Sequence, residues 1–420
     1  METSKRDGFR QIDGCEVCGN KHLASVLDLG SHPLCDDLVP LGESRVCREY
    51  PIEILFCETC RTAQQRFQVP KRELFPASYH YRARFTADVL KGMAGLVERC
   101  GQRFGSLQAR TVLDIGCNDG SLLDFFRERG AQTIGVEPTD AAQEAAARGH
   151  AIFPGYLSEE LAEKIVAAHG RPHFITFTNV FAHIENFEEV KNSLRYLIDG
   201  ETIIVIENHY MGSVLAGHQF DTFYHEHART YSCTSFRYIA QSLGVALLGV
   251  EFPARYGGNI RVFLGPPARA AEPDLQHAAM EEREKSFVDE FAQLRRDVET
   301  WRVAKSALLR EKVEHFGPLP AKAFPARAAI LMKLLGLNER SITAVYEKPG
   351  SLKIGHYVPA TRIPIRSDDE LFARKDQTRP LVNLAWHIGR EIRDYLSTEN
   401  YAGPIIDILS KADFSVSALR

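Results

Sequence analysis

Val112-Leu-Asp-Ile-Gly-Cys-Asn-Asp-Gly120 reads as a buried strand that breaks at glycine and gives way to a helix. Thr111 to Ile115 is the apolar strand, and Gly116 permits a tight turn with close approach of the backbone to a ligand. Ser121 to Arg129 follows as a helix, with Leu122, Leu123, Phe125 and Phe126 on its apolar side and Gly130 as its stop. A helix N-terminus behind such a turn presents the positive end of its dipole, which suits a nucleotide-like cofactor. One strand later, Thr133-Ile-Gly-Val-Glu137 ends on an acid placed to take both hydroxyls of a ribose.

The same alternation extends downstream. Asp140 to Arg148 is an Ala-rich helix, Phe174 to Thr178 a strand, Glu188 to Ile198 a helix and Glu201 to Glu207 a β-branched strand. Ser235 to Ser242 is expected as a helix, followed by strands at Val245 to Gly249 and Asn259 to Leu264. Alternating strands and helices imply a helix-covered, largely parallel sheet, a doubly wound α/β fold. Upstream, residues 1–72 are short apolar pieces broken by Gly, Pro and Cys, a small β-rich module; Val89, Leu90, Met93 and Leu96 mark an amphipathic helix within 73–108. Beyond the sheet, residues 269–316 form a charge-rich helical connector. The stretch 317–420 is a C-terminal α/β domain with a strand at Ile342 to Tyr346 and a helix running from Val382 to Leu396. The expected domains are therefore 1–72, 73–268, 269–316 and 317–420.

With 420 residues the chain is too long for one core. A net charge of −4 excludes a dominant nucleic-acid footprint, and no apolar run reaches the roughly 20 residues that span a bilayer. The first eight residues lack an apolar signal core, so a cytoplasmic address is expected. The implied partner is a small molecule, with neither nucleic acid nor membrane, and a monomer is compatible with the pattern.

Nine cysteines without a secretion signal argue against a disulfide framework. Four of them form two knuckles, Cys15-Glu-Val-Cys18 and Cys57-Glu-Thr-Cys60, in the turn-rich N-terminal module. Two such knuckles complete a tetrahedral four-thiolate site, so a structural Zn²⁺ is expected. Cys35, Cys47, Cys100, Cys117 and Cys233 lack such spacing and read as ordinary buried thiols.

Phe220-Asp-Thr-Phe-Tyr-His-Glu-His227 places four titratable side chains in a row. Imidazole suits proton abstraction near neutrality, a carboxylate beside it orients the ring, and a phenol can donate to a developing oxyanion. Arg229 stands where a zinc-protease helix would carry its second His, so hydrolysis by that route is excluded. In an extended segment Tyr224 and Glu226 would share one face and His225 and His227 the other.

Neither a dinucleotide fingerprint nor a P-loop fits Asp114 to Gly120. The loop and Gly135-Val-Glu-Pro138 resemble the first two motifs of class I methyltransferases that use S-adenosylmethionine, and Thr178-Asn-Val-Phe-Ala-His-Ile184 falls where that fold lines the methyl-donor pocket. Across nearly its whole length the chain resembles the sugar 3-C-methyltransferases of antibiotic deoxysugar pathways. The resemblance rests on the paired knuckles, Leu74-Phe-Pro-Ala-Ser-Tyr-His-Tyr81, Val112 to Gly120, Asn179 to Ile184, Phe220 to Ser232, Gly257-Gly-Asn-Ile-Arg261 and Lys353 to Ile365. It implies methylation at C3 of a nucleotide-linked 4-keto-deoxysugar. His227 would be the base, with Glu226 and Tyr224 beside it. Asp114, Gly116, Asn118, Glu137 and Asn179 would hold the cofactor, and Tyr79, Tyr81, Asn259, Arg261 and Lys353 the acceptor. His225 receives no role, and His183 is a further polar group near the cofactor. The chain departs from the family at Ala321 to Ile330, where a glycine-rich loop with a lysine is usual, and at Ala360, which replaces a glycine. Lys322, Arg327 and Lys353 would have to supply the charge there.

Overall fold

A computed structural model describes residues 8–77, 79, 81–255, 257–270, 275–374 and 377–414. Expectations that fall on residues 1–7, on Ser78 and His80 of the Leu74–Tyr81 block, and on 271–274 of the connector lie outside these. The chain divides into two units. The first comprises the residues up to Ala24, Leu55–Val214 and Glu226–Val288; the second comprises Ser25–Ile54, Leu215–His225 and the chain from Asp289. The division cuts across the linear segments, and one boundary lies between His225 and Glu226.

The first unit is built on seven strands: β1 (Thr111–Ile115), β2 (Gln132–Glu137), β3 (Ala151–Pro154), β4 (Phe174–Thr178), β5 (Ile203–His209), β6 (Ala246–Glu251) and β7 (Asn259–Gly265). Their order is β6-β7-β5-β4-β1-β2-β3, and only β7 runs antiparallel to its neighbours. The direction of the strand order reverses at β1 and β4, so their carboxyl ends open a crevice, the usual place for a ligand in such sheets. The helix Ala87–Phe104 buries Val89, Met93, Leu96, Val97 and Cys100 in a core with Val112, Phe174, Val205 and Phe263. Each such side chain contributes about 1.5–3 kcal/mol when fully buried. Strand β3 and the helix Glu159–His169 were not expected from the sequence. The strand is a short edge piece with no alternation, whereas Ser158 caps the helix by accepting from the Leu161 N–H at 3.2 Å, a readable signal.

The second unit carries five parallel strands: β8 (Leu319–Lys322), β9 (Ile342–Glu347), β10 (Ile365–Ser367), β11 (Leu381–Asn383) and β12 (Ile405–Asp407), in the order β10-β9-β8-β11-β12. Val382 therefore belongs to a strand, paired with Ala321, and not to the expected helix, which begins at Gly389 and ends at Thr398. A short apolar run buried on both faces of a parallel sheet has no period of its own, and tertiary pairing decided it. Among the described residues no helix is long and apolar enough to cross a membrane.

Candidate active site

Gly116 takes φ +72°, and a Cβ there would come within 2.6 Å of Val180 Cγ2. The turn can therefore carry no side chain. Asn118 follows at φ +50°, and its N–H donates to Glu137 Oε2 at 2.9 Å. Glu137 Oε1 accepts from the Thr139 N–H at 2.9 Å and its hydroxyl at 2.6 Å. The acid expected at the end of β2 thus ties two loops together at the strand ends. Asp114 is wholly buried and accepts from Thr176 Oγ1 at 2.7 Å; burial, against the pull of that bond and with a smaller push from the Glu137 charge, moves its carboxyl up to about 7.

Asn118 also anchors the segment that reaches the acid/base cluster. Its Nδ2 donates to the Tyr81 carbonyl at 3.0 Å, and its Oδ1 accepts from the Ala83 N–H at 3.0 Å. Two residues before Tyr81, the Tyr79 hydroxyl donates to Glu226 Oε2 at 3.3 Å. His183 Nδ1 lies 4.0 Å from the same oxygen and, although that atom is buried, has no hydrogen-bond partner. Burial and the neighbouring His227 hold His183 well below the ordinary imidazole range, so it is neutral near pH 7. The His227 ring lies 4.9 Å from the His183 ring and 5.3 Å from that of His209, and Phe75 edges against both His183 and Tyr79 at 5.3 and 5.4 Å.

The run through His227 is a turn, not an extended strand, so the expected alternation of faces does not hold. Glu226 and His227 both reach the cluster. His225 is in the second unit, where its Nε2 donates to the Tyr50 carbonyl at 3.0 Å and burial lowers it to about 4; its place is structural. Tyr224 is half-buried in that unit. Asn259 and Arg261 are committed to buried Glu207: Asn259 Nδ2 lies 3.1 Å from Oε1, and Arg261 Nε and Nη2 lie 2.8 and 2.7 Å from Oε2. Asn259 also donates to Asn179 Oδ1 at 3.3 Å. In the second unit Lys353 donates to the Phe324 carbonyl at 2.6 Å, and buried Lys322 pairs with Asp368 at 2.9 Å. Ala323 and Ala360 hold φ +59° and +56°, the left-handed region that glycine favours.

Sequence reasoning left His183 without a role and missed His209 and Glu207. The signal was available in part: His183 follows β4 and His209 ends β5, at the carboxyl end of the sheet where side chains from adjacent strands converge.

All four knuckle sulfurs lie within 4.8 Å of one another, with Cys15–Cys60 at 3.4 Å and Cys18–Cys57 at 3.5 Å. Zinc–sulfur bonds of about 2.3 Å in a tetrahedron place sulfurs about 3.8 Å apart, so the donor set fits the ion. Hydrogen bonds from Cys15 and Cys60 push Cys57 down, while Cys60 is pushed up by its bonds to Cys15 and Cys57. A divalent cation is what lets the others ionise.

Three family descriptions tile the chain: a zinc binding domain over residues 15–75, a methyltransferase domain over 80–249 and a C-methyltransferase C-terminal domain over 254–405. The chain belongs to the C-methyltransferases. This methyltransferase is 29% identical over 396 residues to "C-methyltransferase NovU" of Streptomyces niveus, covering 93% of each chain. Among solved structures it is similar to magnesium protoporphyrin IX methyltransferase from Synechocystis with bound SAH (15% identity, 42% of this chain and 83% of that one, TM-score 0.33). It is also similar to a SAM-dependent methyltransferase from Anabaena variabilis (17%, 42% and 84%, TM-score 0.34). The C-methyltransferase uses S-adenosylmethionine and carries structural zinc. The side-chain-free turn at Gly116 and the acid at Glu137 fit the cofactor's adenosine end.

The methyltransferase's buried Asp114 gives a pH test of this loop. A carboxyl raised to about 7 on folding takes up a proton between its ordinary 3.8 and about 7, so it makes stability fall as pH rises through that window. Asp114→Asn keeps the acceptor for Thr176 and removes the titration. Its denaturant midpoint is expected to fall less than the wild type's from about pH 5 to about pH 8; equal slopes would refute the assignment.

Proposed function

We propose that this protein methylates C3 of a nucleotide-linked 4-keto-deoxysugar, as in antibiotic deoxysugar formation, through an enolate. The observation that carries the reading is the meeting of Tyr79, His183, Glu226 and His227, with Tyr81 and Ala83 bonded to Asn118 of the cofactor loop. Bound S-adenosylmethionine supplies an electrophilic methyl group. The C3 proton is acidic only because it lies beside a C4 ketone, and His227 takes it. Neutral His183 keeps the ring pair from competing for a second charge. Glu226 balances the charge that His227 gains. Tyr79 and Tyr81 orient the acceptor, while Asn259 and Arg261 act through Glu207, shaping the strand ends beneath it. Placing the reactants and positioning a general base are both required; the base contributes roughly 10²- to 10⁴-fold.

A second reading, methylation of a carbonyl or hydroxyl acceptor that carries no nucleotide, is favoured by one observation. Lys322 and Lys353 already spend their charge inside the second unit, on Asp368 and on the Phe324 carbonyl. A panel of nucleotide-linked and free keto sugars, deuterated at C3 and incubated with S-adenosylmethionine, separates the two. Products heavier by one methyl group, with the C3 label lost, are expected from the nucleotide-linked set. Retained label in a methylated product would exclude the enolate, and turnover of free acceptors alone would support the second reading.

A further inference from the structure

Arg229 is fully buried two residues beyond His227, and its guanidinium spans three parts of the first unit. Nε donates to the Tyr231 hydroxyl at 3.0 Å, Nη1 pairs with Glu16, and Nη2 donates to the Ile184 carbonyl, with Nη1 also 3.4 Å from the Glu185 carbonyl. Glu16 stands inside the first knuckle, between ligands Cys15 and Cys18. The two carbonyls follow immediately after His183. Glu16 is itself fixed by Gln68, which donates to Oε2 at 2.8 Å, and by Arg10, which also donates to the Glu185 carbonyl at 3.0 Å. The second knuckle reaches the same place through the backbone. The strand leaving Cys60 pairs Gln64 with Arg229 and Ala63 with Thr230, and the Gln65 N–H donates to the Ala228 carbonyl at 3.0 Å.

A planar guanidinium holds its donors in a fixed fork, so its partners cannot move independently. Taking away one partner leaves a buried charge uncompensated and forces the fork to shift. We infer that the metal knuckle sets the spacing of His183 and His227, with Glu16 and Arg229 as positioning residues. The catalytic meaning of this rests on the function proposed above; the structural link does not.

The test uses full-length, zinc-loaded protein labelled with ¹⁵N-histidine. Imidazole signals are assigned with His183→Asn and His227→Asn. Glu16→Gln is expected to shift the His183 and His227 signals by more than a linewidth, with zinc content unchanged. The signal of His150, bonded to Thr133 and Asp124 elsewhere in the unit, should stay in place. Exchanging zinc for cadmium in the wild type lengthens the metal–thiolate bonds and should move the same two signals. Unmoved signals in either form overturn the inference, and the cadmium form decides alone if the variant does not fold. With an acceptor from the panel, kcat should fall about 10-fold or more in Glu16→Gln while KM stays within about 2-fold, and Glu16→Asp should restore part of it. If no acceptor is methylated, the functional reading fails and the imidazole signals still decide the link.

Discussion

His227→Asn is expected to lower turnover roughly 10²- to 10⁴-fold, with S-adenosylmethionine affinity unchanged. The side chain keeps its approximate size and a hydrogen-bonding group but loses the only atom able to accept a proton near neutrality. The cofactor loop proposed at Gly116, Asn118 and Glu137 is built from other elements, so binding measured by calorimetry should persist. His183 cannot substitute readily. Its burial, the larger of the two effects on it, still disfavours its charged form when residue 227 is Asn. Full turnover in the variant would remove His227 as the base, whereas loss of cofactor binding would make its role structural. Among the described residues His209, its ring 5.3 Å from that of His227, is an imidazole close enough to rescue partial activity.

Stripping the zinc should cost the first unit its N-terminal module. In zinc-finger peptides a structural zinc contributes about 10–16 kcal/mol of apparent binding free energy, all of it available to folding. Even about 4 kcal/mol of that would lower the melting temperature by roughly 10 °C in a unit of this size. The loss should spread, because Cys60 is bonded to Thr62 at 3.1 Å, Thr62 to Ser235 at 2.9 Å, and Ser235 completes with the N-cap Ser232 the capping box of the helix Cys233–Leu243. Cys57→Ser, or wild type treated with a strong chelator, is expected to melt at least about 10 °C lower in scanning calorimetry, with metal analysis confirming the loss. An unchanged melting temperature after complete removal would show that the four thiols hold the module without an ion.

Local signals carried much of the fold. The strands at Thr111–Ile115 and Phe174–Thr178, the helix ending at Gly130 and the amphipathic helix around Met93 all stand where their own residues put them. Val382 could not be placed in this way, because its short apolar run suits either a strand or a helix. The run from Tyr224 to His227 drew attention as four neighbours, yet the chain passes between units inside it. His225 goes to the Tyr50 carbonyl, and Glu226 and His227 go to Tyr79 and His183.

By itself the sequence determined the alternating α/β pattern, the glycine turn, the four-thiolate spacing and the presence of an acid/base run, because each depends on residues a few positions apart. Tertiary structure alone decided which side chains meet. Tyr79 finds Glu226 across 147 positions, Arg229 finds Glu16 across 213, and Glu207 withdraws Asn259 and Arg261 from the list of free groups. The physical reason is that a buried charge or hydroxyl must be satisfied by whatever the fold brings within about 3 Å, and spacing along the chain holds no record of that distance.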